Sequence, residues 1–135
     1  MGQDYKQDLR SAARRYLEAG ETLVATSRKD IAGYLFGIAA ECALKHIMAN
    51  SGMRPLPNNE RWNDPFYAHF EELKGMLRER AYGRLATDIR RYAESSSFMQ
   101  HWDVSMRYSD GKSVKTDWVL RWQRDAKTIV GAMDC

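Results

Sequence analysis

The sequence has few of the features that mark an exported, disulfide-linked or membrane-spanning chain. Its only two cysteines, Cys42 and Cys135, lie far apart and match no metal-ligand spacing. No run of about 18 uncharged apolar residues is present, and the first residues lack the apolar stretch of a signal peptide. These absences predict a cytoplasmic protein with reduced thiols, without a disulfide, a bound metal, a cofactor or an association with membranes.

Motifs that identify many enzyme classes are missing as well. The chain contains no glycine-rich phosphate loop, no HExxH metal site and no serine nucleophile elbow. Alternating runs of β-branched residues, which would indicate strands, are also absent. Apolar residues instead recur at spacings of three and four, the pattern of amphipathic helices.

The helical pattern predicts an all-α fold. A chain of 135 residues with 44% hydrophobic content is sufficient for one core, so residues 1–135 are expected to form a single domain. The predicted architecture is an antiparallel four- to five-helix up-and-down bundle with a long loop after helix 2. Helices are expected at about 4–26, 31–50 with Asp30 as N-cap, 66–80, 82–94 and 114–133, and the loop at 51–65, which holds all three prolines.

Helix 2 is apolar nearly all the way round its axis, apart from Glu41 and Lys45. This pattern predicts the central helix of the bundle, covered on both faces, with Gly33 and Gly37 allowing a neighbouring backbone to approach closely. Tyr34, Glu41 and Lys45 share a third direction and form a narrow polar seam. Two interpretations of the charged pair remain open: a solvated i,i+4 pair at the bundle edge, or part of a cleft entered by an arginine or tyrosine.

The excess positive charge is concentrated in one segment. Residues 78–91 contain five arginines against two acidic residues. In a continuous helix Arg80, Arg84 and Arg91 would share the face opposite the apolar residues. Such a stripe suits phosphate groups of a nucleic acid or nucleotide, although an exposed amphipathic helix has the same pattern.

Four segments, in order, resemble the HEPN domain family over residues 8–131. They are the first-helix segment AARRYLEAGETLV, the second-helix segment DIAGYLFGIAAECALKHIM with Glu41 four residues before Lys45, HFEEL at His69, and HWDVSMRYSD. The resemblance implies a helical bundle, commonly dimeric. It also implies one of two functions: a metal-independent ribonuclease, often a toxin, or a non-catalytic binding subunit, often beside a small nucleotidyltransferase.

The nuclease motif of that family, an arginine and then a histidine after four to six residues, is not found here. No arginine stands at that spacing before His46, His69 or His101. The resemblance therefore favours a catalytically silent homodimer that recognises a nucleotide, RNA or a partner protein such as a minimal nucleotidyltransferase or an antitoxin.

The expected ligand-binding residues come from several segments of the chain. Arg107 is the best candidate for the partner of Glu41, as an ion pair or as a ligand contact. The alternative function is a metal-independent endoribonuclease with a divergent site, in which His69 or His101 moves a proton and Arg107 stabilises phosphorane charge. The predicted ligand-binding residues are Glu41, Lys45, His69, Arg107 and Tyr108, with Arg80, Arg84 and Arg91 on phosphates.

Overall fold

The computed structural model describes residues 5–79 and 87–134, and in this part of the chain every regular element is helical. The prediction of an all-α fold is confirmed, whereas the up-and-down arrangement stays a prediction. The α-helices are α1 (Leu9–Val24), α2 (Lys29–Asn50), α3 (Glu72–Glu79), α4 (Thr87–Glu94) and α5 (Thr116–Ala132), and the short 3-10 helices are Asn58–Asn63, Pro65–Tyr67 and Val104–Tyr108.

Helix α1 begins five residues later than the apolar spacing predicts. The Asp8 carboxylate accepts a hydrogen bond of 2.9 Å from the Ser11 N–H, which caps the first turn and sets the start at Leu9. The Thr26 hydroxyl donates to the Leu23 carbonyl at 2.6 Å just beyond the last turn. Helix α1 packs along α2, and α5 packs against both.

Helix α2 begins at Lys29, so the prediction of Asp30 as its N-cap is wrong. Arg28 is the N-cap residue, without a side-chain cap, and Asp30 lies in the first turn. An Asp30 oxygen lies 2.6 Å from the Arg28 guanidinium, which holds the carboxylate there. The predicted end is confirmed, because the helix stops at Asn50 and Gly52 takes the left-handed conformation that closes it, with φ of 96°.

The indole rings of two tryptophans pack directly against the glycines of α2. A Cβ at Gly33 would lie 2.8 Å from the Trp122 ring, and one at Gly37 would overlap the Trp102 ring. The Trp102 indole N–H donates to the Gly33 carbonyl at 3.0 Å. The prediction of a neighbouring backbone at these glycines is therefore wrong: they make room for tryptophans.

Neighbouring elements bury α2 less completely than its sequence predicts. Most of the helix is buried, including Phe36, Leu44 and Met48. The expectation that both apolar faces are covered is wrong for the stripe of Ile31, Leu35, Ile38 and Cys42, which is only partly buried or exposed.

The predicted loop after α2 contains two of the 3-10 helices, and α3 starts at Glu72 rather than at 66. The buried Asp64 side chain causes this, since its oxygens accept hydrogen bonds from the Leu56 N–H at 2.8 Å and the Phe66 N–H at 2.9 Å. These bonds fix an irregular segment where periodicity alone predicted a helix. The segment carries Phe70 into the core and His69 to its edge.

Helix α5 lies within two residues of its predicted span, and Trp122, Ala126 and Ile129 along it are buried. The predicted helix at 82–94 is described only as α4, from Thr87. Within the described residues, α2 alone is long and apolar enough to cross a membrane. Two thirds of its most apolar stretch (67%) is buried, however, and the core helix of a soluble protein has the same composition.

Candidate functional site

Glu41 lies at the centre of a polar cluster inside the apolar surroundings of α2. Its side chain is only 3% exposed. One carboxylate oxygen lies 2.8 Å from Nδ1 of His69, and the other accepts a hydrogen bond of 2.8 Å from the Phe70 N–H. Both carboxylate oxygens are therefore satisfied by consecutive residues of the segment that precedes α3, which is how α2 tolerates a buried acid.

Lys45, one turn along α2, is buried as well. Burial lowers the pKa of Lys45, against the charges of Glu41 and Asp64, which raise it. Burial likewise raises the pKa of Glu41, although the His69 hydrogen bond and the Lys45 charge lower it. Neither residue is solvated, so the interpretation as a surface pair is wrong. The part of the chain that the structure describes has no direct ion pair between them.

His69 occupies the boundary between this buried cluster and solvent. Its side chain is 39% exposed. Nδ1 of the ring faces the Glu41 carboxylate, and Nε2 is the ring nitrogen that makes no contact with Glu41. Hydrogen bonds from Ser105 lower the pKa of Asp103, a carboxylate on the segment after Trp102. The ring thus has one carboxylate contact, on its buried side.

Arg107 and Tyr108 lie elsewhere, in the 3-10 helix Val104–Tyr108. The Asp103 side chain caps this element by accepting the Ser105 N–H at 2.8 Å. The Arg107 guanidinium lies 5.2 Å from the centroid of the Tyr108 ring, and Tyr108 is 84% exposed. An exposed aromatic ring beside a cation is an arrangement suited to stacking.

The Arg107–Tyr108 pair borders a cavity of about 380 Å³, here called the Arg107 cavity. A second arginine and a second tyrosine, Arg28 and Tyr34, line the same cavity, together with the apolar side chains of Ile31 and Met106. The Tyr34 ring stacks on Trp102 with 5.8 Å between centroids. The N-terminal half of α2 and the segment before α5 thus build the cavity together.

The single cleft predicted from the sequence is two separate groups. Arg107 is not the partner of Glu41; His69 holds that position. Glu41 lies seven residues after Tyr34, about 10 Å along the helix. Trp102 connects the groups, because its ring stacks on Tyr34 and also meets Phe70 edge-on at 6.2 Å.

The predicted arginine stripe falls largely outside the described residues. Arg80 and Arg84 belong to the range 80–86, about which the structure says nothing. Arg91 lies on α4 with an exposed side chain, 3.2 Å from Asp88. Its positive charge is therefore partly offset by a local carboxylate.

Sequence reasoning missed Arg28 as a lining residue of the cavity and Trp102 as the connection between the two groups. The aromatic-rich segment around Trp102 was a usable signal, since buried indoles need a hydrogen-bond acceptor and a close-packed neighbour. The glycines on α2 supply that neighbour. Arg28 carried no comparable signal, because nothing in its sequence surroundings distinguishes it from other surface arginines.

In the described residues the fold is all-helical, a buried glutamate is paired with a partly exposed histidine, and a separate cavity is lined by two arginines, two tyrosines and Asp30. Among the described residues, no cluster of three or more His, Cys, Asp or Glu side chains is arranged to hold a metal ion. No protein-family model, curated protein or solved structure gives a significant match to the chain.

Proposed function

We propose that this chain is a non-catalytic, HEPN-like binding protein that recognises a nucleotide or single-stranded RNA through the Arg107 cavity. The observation that carries the proposal is the exposed Tyr108 ring beside the Arg107 guanidinium, at the mouth of a cavity of ligand size. A base stacks on the tyrosine ring, and the guanidinium binds a phosphate oxygen pair.

Arg107 is better suited to a ligand phosphate than Arg28. Arg28 is paired at 2.6 Å with Asp30, whose carboxylate also lines the cavity, whereas Arg107 has no carboxylate partner among the described residues. A phosphate at Arg107 would thus meet a guanidinium not already neutralised by a carboxylate. Ile31 and Met106 provide apolar surface for the edge of a base or a sugar.

Glu41 and Lys45 have a supporting role in this proposal, since both are buried. Glu41 holds the segment with His69 and Phe70, which in turn packs on Trp102 behind the cavity, and Lys45 supplies a positive charge near Glu41. His69 remains partly exposed and thus free to contact a longer ligand. The stripe of Arg80, Arg84 and Arg91 is proposed as a further phosphate-binding surface.

The HEPN kinship is supported by contacts among the segments that carry the resemblance. His69 meets Glu41, and Trp102 donates its indole N–H to α2. Homodimer formation and a nucleotidyltransferase or antitoxin partner belong to the same proposal. Sedimentation velocity on the purified chain, alone and with a candidate partner, tests both.

The test of the binding site is fluorescence anisotropy with a labelled single-stranded RNA. The double variant Arg107→Gln/Tyr108→Ala is expected to bind at least about tenfold more weakly, because each stacked base contributes about 1–3 kcal/mol. The matched control is Arg61→Gln/Tyr67→Ala, which removes another arginine–tyrosine pair, with 4.6 Å between guanidinium and ring centroid. Equal affinities of the two double variants would refute the proposed site.

A metal-independent endoribonuclease is the second candidate function, favoured by one observation. The carboxylate of Glu41 orients His69 while the ring stays accessible, the arrangement of a general base. Cleavage of RNA in EDTA that disappears in His69→Gln and in Arg107→Ala but persists in His101→Gln would replace the binding proposal with this one. Glutamine at position 69 retains a donor for Glu41, so the variant is expected to fold.

A further inference from the structure

A second cavity, of about 260 Å³, lies between α5 and the turn at 97–101 and is lined by Ser97, Arg121, Arg124 and Asp125. It shares no residue with the Arg107 cavity. The proposed function makes no use of it. Two arginines, one hydroxyl and one carboxylate meet in a small concave space, which raises the question of what this space binds.

The turn that forms one wall of the cavity is held rigidly by side chains of two helices. Lys74 of α3 donates to the Phe98 carbonyl at 2.8 Å, and the Trp122 indole of α5 donates to the Gln100 carbonyl at 2.8 Å. Met99 and His101 have φ angles of 55° and 73°, a conformation that non-glycine residues adopt only when their surroundings enforce it. The wall is therefore preorganised.

The charge in the cavity is positive and open to a ligand. Neither Arg121 nor Arg124 forms an ion pair with a carboxylate within residues 5–79 and 87–134. Asp125 is the one acid in the lining, and its Oδ2 accepts the Met99 N–H at 2.9 Å. Burial raises the pKa of Asp125, while the nearby Met99 N–H and the charges of Arg124 and Lys74 lower it.

Lys74 places a further positive charge in the protein interior behind the turn. The lysine is fully buried, donates to the turn, and its charge acts on Asp125 as well as on Glu71, which lies 3.3 Å away. The lining carries two guanidinium groups against one carboxylate, so its excess charge is positive. Two guanidinium groups and a hydroxyl match a tetrahedral oxyanion, which offers several acceptor oxygens to N–H and O–H donors.

The geometry points to a phosphoryl-binding site at this cavity, in which Arg121 and Arg124 hold the phosphate oxygens and the Ser97 hydroxyl donates a further hydrogen bond. The volume exceeds that of a water molecule, about 30 Å³, several-fold and leaves space for a substituent on the phosphate. The ligand is therefore a phosphate ester, either a monoester or the diester of a nucleic acid.

The test is a titration with inorganic phosphate at constant ionic strength, followed by ¹H–¹⁵N NMR. The reporters are the Met99 amide and the Trp122 indole N–H, since both belong to hydrogen bonds in the cavity wall. Phosphate is expected to shift both signals in a saturable manner. The indole signal of Trp62, which is 77% exposed and lies in the loop after α2, serves as internal reference.

Substitutions distinguish a specific phosphate-binding site from nonspecific attraction of phosphate by positive charge. Arg121→Gln/Arg124→Gln is expected to weaken phosphate binding at least about tenfold, and Arg121→Lys/Arg124→Lys to weaken it clearly as well, because lysine cannot bind two oxygens in a fork. Arg15→Gln, on α1, is the control and should bind like the unaltered chain. Signals that do not saturate, or equal effects of all three variants, would overturn the assignment.

Two dinucleotides show whether the cavity binds a phosphate monoester or the phosphodiester of a nucleic-acid backbone. A dinucleotide with a 5′-phosphate that binds more tightly than the same dinucleotide without it identifies a monoester, and equal binding identifies a backbone diester. Failure of both to shift the Met99 amide would also overturn the assignment. Since the reporters lie at this cavity, the result does not depend on whether RNA binds beside Arg107.

Discussion

At the scale of single residues, the Glu41 carboxylate contributes most to the arrangement of the site. Taking a carboxylate out of water is unfavourable unless hydrogen bonds and opposite charges replace the lost hydration. Two neighbouring residues of one loop segment supply these bonds, with Lys45 as the opposite charge. Docking of that segment and burial of the acid are consequently one event.

The first prediction concerns the pH dependence of that burial. The pKa of Glu41 is raised by burial above its ordinary value of 4.5, so the folded protein takes up a proton at this residue before the unfolded chain does. Its contribution to the free energy of unfolding is thus largest below pH 4.5 and is lost as pH rises through the folded-state pKa. We expect the difference in stability between His69→Gln and His69→Gln/Glu41→Gln to shift in favour of Glu41 as pH falls from 7 towards 4.5.

The measurement is urea unfolding at several pH values, with both proteins in a His69→Gln background so that the imidazole does not titrate. Glu41→Ala is the control for lost hydrogen bonds. It is expected to lower the free energy of unfolding by about 1–3 kcal/mol more than Glu41→Gln at every pH, since it leaves the Phe70 N–H unsatisfied. A pH-independent difference between Glu41 and its glutamine variant would contradict the raised pKa.

The second prediction concerns the Cys42 thiol. Burial raises the pKa of Cys42 from 9.0 to about 11, which lowers its thiolate fraction about 100-fold near neutral pH. In a Cys135→Ser variant, alkylation by iodoacetamide at pH 8 should be at least about 100-fold slower in the native protein than in urea. Mass spectrometry of timed samples measures both rates, and comparable rates would disprove the prediction.

At the scale of elements, the glycines of α2 and α5 differ in what surrounds them. Gly37 faces the ring of Trp102, and Gly131 has open space where a Cβ would be. Gly37→Ala is therefore expected to destabilise the fold by more than about 3 kcal/mol, because a rigid indole with a fixed hydrogen bond cannot move aside.

Gly131→Ala is the matched control in a helix without crowding. Alanine there is expected to stabilise the protein by about 0.5–1 kcal/mol, through the lower backbone entropy of the unfolded chain. Thermal and urea unfolding measure the change in the free energy of unfolding of each variant, and the two changes are expected to have opposite signs. A neutral Gly37→Ala would mean that Trp102 does not pack on α2 as described.

Helix positions were predictable where periodicity and packing agree. Helices α2 and α5 lie within two residues of the prediction, because each buries a row of side chains that spans most of its length. Helix α3 was predicted six residues too early, since the carboxylate of Asp64 captures the backbone N–H groups around it. The partner of Glu41 was not predictable either, because spacing along α2 does not tell which loop folds over it.

At the scale of the whole molecule, the distribution of charge governs the approach of a polyanion. The net charge of +3 is small, and the excess of arginine lies in residues 78–91. RNA bound through such a segment releases counterions, so its affinity falls with salt. For single strands the slope of log K against log salt is about −0.7 per neutralised phosphate.

The fourth prediction is that reversal of Arg80, Arg84 and Arg91 to Glu abolishes RNA binding at physiological salt, and that any residual low-salt binding has a shallower slope. The control reverses three scattered cations and changes the net charge equally: Lys6, Arg15 and Lys127. Anisotropy titrations at several salt concentrations measure both slopes. Equal losses in the two triple variants would show that net charge alone, and not the arginine segment, attracts RNA.

The order of the elements along the chain has a consequence for biosynthesis. Helix α2 is translated before α5, which carries the residues that cover its Gly33 face, Val119 and Trp122. Until the ribosome has released α5, the most apolar helix of the protein has one open side, and such surfaces attract chaperones and aggregate. Products truncated ahead of α5 are therefore expected to be substrates of cellular proteolysis.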